Sequence, residues 1–533
     1  MKGDFARVTF DPTLQYSQVF QQQGRVLLEA DWNEQGSIQL HLMRAFITDL
    51  VGSCWAAGDG FALTSKPQLA NWQLSPGHFY VDGILCVNEA VCTLAAQPHA
   101  PTPEYDANGG DFANPPATYA LWLDVWERHL SWVEAPRIND TALDGVDTGS
   151  RAQVVWQIRL VDQARLGRQL DAVTAALKVR QKAVDGNGDD ADIEQALKDI
   201  ETLRSHVDGR AAANDDPCTF LRQALGARGT YAWPRLRAQL GPAATDDDPC
   251  VIAADARYRG CENQLYRVEV HQGSVIAATG VASSATFKWS RENGSVIFPV
   301  VDSVTAAAPD GTPQVTVTLA NPGRDRRLGL KVDDWVELLD DDDTLGQRAY
   351  PLLQVLAIDP GQHSVTLGGA KGSQPHVPGS VPGKHPLLRR WDQREQLTMD
   401  GVVAIAEGDW IALEDGVEVF FEVGGVYATG DYWIIPARVA GNGTLDWPAG
   451  TVAVRSRGMH HFAVLGTTNA NGAFGECCCR FDSLCELMRT DPTRRLAVDA
   501  APVLQPKAAT KTVKTAKTAK VAKATKTTKK PGG

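Results

Sequence analysis

Residues 117–134, ATYALWLDVWERHLSWVE, and 151–161, RAQVVWQIRLV, alternate bulky apolar side chains with polar ones. Successive side chains of a strand point to opposite faces, so a period of two marks a half-buried β-strand. The pattern repeats along most of the chain. WQLSPGHFYVDGILCVNE (72–89) reads as a hairpin turning at Val-Asp-Gly, and NQLYRVEVHQG (263–273) as another strand. ATFKWSRENGSVIFPV (285–300) places Asn293-Gly294 between strand-like runs, the signature of a type I′ hairpin turn. Beyond residue 400, WIALEDGVEVFFEV, GDYWIIPARV and GTVAVRSRG continue the series. Such a chain folds as a mainly β protein of several domains, with antiparallel sheets in sandwich or barrel modules.

Two stretches break this rhythm. Ile38, Leu40, Leu42, Met43, Phe46, Ile47 and Leu50 have the spacing of an N-terminal amphipathic helix running from Trp32 to about Leu50. Leu166, Leu170, Val173, Leu177 and Val184, then Ile193, Leu197, Ile200, Leu203 and Val207, predict a helical hairpin inserted into the β body and projecting from it. Segments follow from these shifts: an N-terminal docking segment and helix (1–53), a β-rich domain (54–164), the helical insertion (165–245), a β-rich continuation (246–300), a small barrel-like module (301–370), a C-terminal β-rich domain with a short helix (371–500) and a disordered tail (501–533).

Composition is that of an ordinary globular protein, 43% hydrophobic and 22% charged, and no apolar run is long enough to span a bilayer. MKGDFARVTFDP has no apolar core of a secretory signal, so the expected compartment is the cytoplasm and the ten cysteines are expected as reduced thiols. The net charge of −12 hides a basic tail: Lys507, Lys511, Lys514, Lys517, Lys520, Lys523, Lys526, Lys529 and Lys530 alternate with Ala and Thr and have no acid among them. That composition buries nothing and suits salt-dependent contact with nucleic acid or an anionic surface.

Motifs with a mechanism are near misses. Asp185, Asn187 and Asp189 match the first three ligand positions of a calcium loop, but Asp190 replaces the turn glycine and Ala196 the bidentate Glu, so a polar hairpin tip is expected. DDPC at 215–218 and the second DDPC, ending at Cys250, read as turns. GSVPGKH (379–385) lacks the spacing and the hydroxyl residue of a phosphate loop. Adjacent His460 and His461 point to opposite faces of a strand, and Asp340–Asp343 reads as a solvated turn, with calcium binding the alternative. The fourteen tryptophans sit mostly in strand patterns and are expected in cores, with sugar stacking the alternative. No catalytic residue, metal or cofactor is expected.

QQQGRVLLEADWNEQ (21–35) reads as a strand-to-helix joint: Gly24 in a turn, Arg25 to Ala30 extended, Asp31 capping a helix that starts at Trp32, and Glu34 closing the cap. Gly24, Arg25, Asp31, Trp32 and Glu34 are thus structural or interface residues of a docking region.

MKGDFARVTFDP, YSQVFQQQGRVLLEADWNEQ, LWLDVWERHLSWVEAPRIND, CENQLYRVEVH, ATFKWSRENGSVIFPV and GDYWIIPARV resemble, in order, a bacterial family of unknown function similar to proteins encoded beside phage-tail-like contractile injection systems. The resemblance implies a non-enzymatic structural part of such a particle, near baseplate, spike or fibres. Its partners would be other particle subunits in a homo- or hetero-oligomer. A glycan-binding fibre-like module is the alternative, and a carbohydrate-active hydrolase a weaker one.

The lysine tail makes its own prediction. Deleting residues 507–533 should abolish salt-sensitive binding to DNA or anionic vesicles and leave thermal unfolding unchanged; a truncated chain that binds as well as the full one refutes the reading.

Overall fold

The computed structural model describes residues 1–482 apart from 101–111, 184–189, 210–215, 242–256, 277–281, 284, 309–310, 324, 326, 370–374, 449–451 and 469–472. The calcium-like Asp185, Asn187 and Asp189 and the lysine tail lie outside the described residues.

Most strands pair antiparallel, and the sheets pack as layers. Strands Phe474–Glu476, His461–Thr468, Ala120–Leu130 and Arg151–Val161 form one sheet in that order. A second runs Cys479–Phe481, Cys54–Ala57, Gly77–Val81, Ile84–Asn88. Segments from both ends of the chain therefore share sheets, with Cys54–Ala57 lying parallel to Cys479–Phe481. Leu121, Leu123, Val125, Ile158 and Leu465 of the first sheet pack with Ala56, Phe79, Val81 and Ile84 of the second in one core.

A second sandwich fills the middle of the chain. Val403–Ala404, Thr286–Ser290, Gln264–Gln272, Tyr432–Arg438 and Thr444–Leu445 form its central sheet. Trp410–Ala412, Val417–Phe421, Arg235–Leu240 and Val454–Arg455 form the sheet facing it. Tyr266, Val268, Val270, Phe287 and Ile435 meet Leu236, Ala238, Val419 and Phe421 between them. The expected barrel is closed by six strands, from Ile297–Ala307 to Leu387–Trp391, so it draws its last strand from beyond residue 370.

Asn293 and Gly294 both have positive φ (49° and 67°), and Ser295 N donates to Glu292 O at 2.9 Å, as a type I′ turn requires. The flanking strands, however, do not pair with each other. Thr286–Ser290 pairs within the central sheet and Ile297–Ala307 within the barrel. The turn hands the chain from sandwich to barrel instead of closing a hairpin.

Among the described residues five α-helices complete the fold: α1 (Glu29–Val51), α2 (Gln163–Ala183), α3 (Asp190–Val207), α4 (Pro217–Tyr231) and the short α5 (Asp341–Gly346). The helical insertion does not project. Leu166, Leu170, Val173 and Leu177 of α2 and Ala224, Leu225 and Ala227 of α4 pack in one core with Ala120, Trp122, Val161 and Val464 of the first sheet. The strand Ala120–Leu130 is consequently buried on both faces over most of its length, not half-buried as its alternation implied. The first DDPC is a helix start rather than a turn: Asp216 accepts from Cys218 N and Thr219 N, and Pro217 occupies the first helical position, where a missing N–H costs nothing.

The thiol expectation fails at one pair. Cys218, in the first turn of α4, is disulfide-bonded to Cys477 across a sequence separation of 259. Spacing could not reveal it, because the partner lies just past a strand of the distant C-terminal segment. The bond fastens the helical layer to the sheet it covers. Reduction, or Cys218→Ser, should lower unfolding stability by about 2–4 kcal/mol. Urea melts with and without reductant check this, and the double Cys218→Ser/Cys477→Ser chain should be insensitive to reductant.

Candidate assembly surface and the charge cluster behind it

The N-terminal segment begins in a buried charge cluster and ends on an open helix. Glu269 lies directly across from Lys288 on the neighbouring strand of the central sheet. Arg267, two residues before Glu269 and on the same face, donates from Nε to Glu269 Oε2 at 2.6 Å. Lys2 Nζ reaches Glu269 Oε1 at 3.0 Å. Lys288 also donates to Glu337 of the barrel, while its ammonium sits 4.5 Å from the centre of the Trp391 ring. Trp391 Nε1 donates to the other Glu337 oxygen at 3.1 Å. The Asn293 amide of the type I′ turn donates to the carbonyls of Met1 (3.2 Å) and Gly3 (2.9 Å). MKGDF is thus held by the sandwich and by the turn leading into the barrel.

Burial alone would raise the carboxyls of Glu269 and Glu337. Lys2, Arg267 and Lys288 outweigh it at Glu269 and hold that group well below the usual carboxylate range. Lys288, Lys2 and His271 do the same at Glu337, holding it at about 2.

From Asp11 to Glu29 the chain runs over the surface with every residue exposed except Val19, which is partly buried. Gly24 has φ 71° in a tight turn, and Arg25 is exposed. Arg25–Leu28 forms no strand, and α1 starts at Glu29, three residues earlier than the sequence suggested. Leu28 is the N-cap and provides no side-chain cap bond, so Asp31 and Glu34 do not form the expected capping box. The acids act otherwise. Asp31 lies in the first turn, where the helix dipole favours a negative charge. The Glu34 carboxylate accepts from Thr9 Oγ1 at 2.5 Å, and Glu29 accepts from Ala6 N at 2.9 Å. Gln35 Oε1 accepts from Val19 N at 2.7 Å, and Arg44 makes two bonds to Glu127.

By those bonds α1 is tied to the N-terminal segment and, through Arg44, to the first sheet. Of its 23 residues only Ala30 and Ile38 are fully buried. Its largest apolar side chains point the other way: Trp32, Met43, Phe46 and Leu50 are 79%, 53%, 65% and 68% exposed. Tyr16, Phe20, Val26, Leu27 and Leu28 of the preceding arm are exposed as well. So many large exposed apolar side chains in one short stretch of chain are the raw material of an interaction site.

Other candidates are accounted for locally. Asp340–Asp343 is not a solvated turn: Asp340 and Asp343 cap α5 reciprocally, Asp341 pairs with Arg128 at 2.6 Å and His385 at 2.8 Å, and Asp343 pairs with His376 at 2.8 Å. His460 pairs with buried Asp124 at 2.6 Å and His461 with Asp82 at 2.8 Å. Among the described residues no group of three or more His, Cys, Asp or Glu could hold a metal ion, and no helix is long and apolar enough to cross a membrane. Of the tryptophans, Trp32 and Trp410 are the exposed ones. A cleft of about 280 Å³ opens between the first sheet and the helical layer, lined by Tyr119, Leu166, His206, Phe220 and Thr468 among others.

The whole chain, residues 1–533, matches the Family of unknown function (DUF6519), and it belongs to that family. No curated protein matches it. Among solved structures, one described as "Crystal structure of TssK" aligns at 10% identity over 76% of this chain and 99% of that chain, with a TM-score of 0.16, too low to define a shared fold.

Glu269→Gln leaves Lys2, Arg267 and Lys288 without their shared anion and should cost about 3–5 kcal/mol in a denaturant melt. The pH dependence has a definite sign. Glu337 titrates at about 2 when folded and near its ordinary 4.5 when unfolded, so the unfolded chain binds more protons between those values. Its stabilising contribution is full above pH 4.5 and declines as pH falls toward 2; acid melts of wild type and Glu337→Gln should converge across that window.

Proposed function

We propose that this chain is a non-enzymatic structural or adaptor subunit of a phage-tail-like contractile injection particle, in its baseplate, spike or fibre region. It acts through protein–protein interfaces, assembles in the cytoplasm and leaves the cell as part of the particle. The observation that supports this reading best is the arm and α1: a long surface segment and a 23-residue helix whose largest apolar side chains face outward while its polar groups hold the body. A chain folding for its own stability would turn that stripe inward. The ordered block resemblance to proteins encoded beside such systems supplies the particle.

The test is a fractionation. After shearing of cells that carry the gene in its own cluster, the protein should sediment with sheath and tube proteins in a large particle, and Trp32→Ala/Phe46→Glu should move it to the light fraction. Wild-type protein found in the light fraction alone refutes the reading. Binding to a glycan array that is lost on Trp32→Ala would instead favour the fibre-like module.

A further inference from the structure

The outward stripe of α1 has a spacing that its apolar content alone does not explain. Trp32, Gly36, Gln39, Met43, Phe46 and Leu50 follow one another at intervals of four, three, four, three and four residues. These are the spacings of a heptad seam over the length of α1, with four of the six positions large and apolar and Gly36 and Gln39 the exceptions. All six positions are exposed, and nothing lies within 4 Å of where a Cβ on Gly36 would stand. The helix is about 35 Å long at its ordinary rise, enough for a complete interhelical contact.

The order of large and small residues along this seam is self-complementary in one orientation. Pair the helix with a copy of itself running antiparallel about a two-fold axis near His41. Trp32 then meets Leu50 of the copy, Gly36 meets Phe46, and Gln39 meets Met43. Each contact occurs twice, as an isologous interface demands. The Phe46 ring enters the space that Gly36 leaves open, so a bulky side chain opposes a missing one. Beside the seam, Leu40 meets Leu40 and Leu42 meets Leu42 at the axis, and Asn33 faces Ile47. No like charges confront each other. Parallel pairing has none of this fit, because it sets Gly36 on Gly36, Gln39 on Gln39 and the two indoles together. Antiparallel pairing also opposes the helix dipoles.

With aromatic side chains of about 150–250 Å² each, the exposed stripe and its leucine flanks offer on the order of 600 Å² per copy, about 1,200 Å² in total and the lower bound for a specific interface. Val26, Leu27 and Leu28, exposed just before the helix, extend it further.

We infer that α1 is a homodimerisation helix, packing antiparallel on α1 of a second copy through Trp32, Gly36, Gln39, Met43, Phe46 and Leu50. It rests on the reading of α1 as a docking element but not on membership of any particle. Particle fractionation and the solution mass of the purified chain therefore fail separately.

Sedimentation velocity of the purified full chain at micromolar concentration tests it. Wild type should be a dimer, and Phe46→Glu should weaken it by about a hundredfold or more without changing thermal unfolding, since Phe46 is mostly exposed within one copy. Gly36→Leu carries the register. It adds apolar surface and removes a poor helix former, yet it should weaken the dimer by closing the Phe46 hole, and Gly36→Leu/Phe46→Ala should restore it. A Leu42→Cys chain should cross-link to its copy above the wild-type background. A monomeric wild type overturns the inference, as does a dimer that survives Phe46→Glu. Tighter pairing by Gly36→Leu, or failure of the double variant to recover, overturns the antiparallel register.

Discussion

Everything at the N-terminal end depends on one buried carboxylate. Glu269 sits in the middle strand of the central sheet, where a lone anion would be expensive to desolvate. It is tolerated because three cations converge on it from three directions: Arg267 along its own strand, Lys288 across the sheet and Lys2 from the chain's first residues. Lys288 in turn bonds Glu337 of the barrel, and that carboxylate takes the Trp391 indole as well. Removing Glu269 or Lys288 leaves a buried charge without its ion-pair partner, so the cluster favours one placement of MKGDF, sandwich and barrel. A core of leucines would stabilise those seams as well, but it would tolerate sliding.

The same device recurs where the barrel meets the first sheet. Asp124 is buried in the strand Ala120–Leu130, and burial opposes its charge, yet His460 and Arg159 hold its carboxyl below the ordinary range. Gln347, just past α5, donates to the other nitrogen of His460 at 2.9 Å. Arg128 of that strand pairs with Asp341 of α5, and Gln157 of its neighbour donates to Leu345 O. Apolar packing builds each layer, while charges and amides set how the layers meet. Directional bonds fit that role, since burial of apolar area is indifferent to orientation.

This division explains what the sequence could and could not disclose. Period-two alternation located most of the long strands, because it is local and each buries at least one apolar face; it missed Arg235–Leu240, assigned to the helical insertion, and Cys479–Phe481, where a short helix was expected. The polar face of YRVEVH, with Arg267, Glu269 and His271, looked like a solvent face for the same reason. Only the approach of the barrel and of residues 1–5 buries it, and no local pattern encodes that approach. A readable hint existed: Arg267, Glu269 and Lys288 stand in strands flanked by large apolar residues on both sides. The Cys218–Cys477 bond and the second burial of Ala120–Leu130 were hidden likewise, since both are made by segments distant in the chain. In α1 the period of the helix was legible and its direction was not. Spacing says that one face is apolar; it does not say whether that face meets the chain's own core.

The direction of α1 follows from what the fold has already completed. Each sheet of the two sandwiches has its apolar face covered by the opposing sheet, and α2–α4 cover the outer face of the first sheet. α1 buries only the small Ala30 and one large apolar residue, Ile38, and is otherwise tied by Glu29, Glu34, Gln35 and Arg44, each bonded to the N-terminal segment or to Glu127. Trp32, Phe46 and Leu50 are left facing outward. Water disfavours that surface until another molecule covers it, and the alternation of Gly36 with Phe46 selects a molecule that carries the same alternation in reverse. The stretch QQQGRVLLEADWNEQ therefore brings the chain out of the arm and into α1 with its first anchors, Glu29 and Glu34, bonded to Ala6 and Thr9 and Trp32 left exposed.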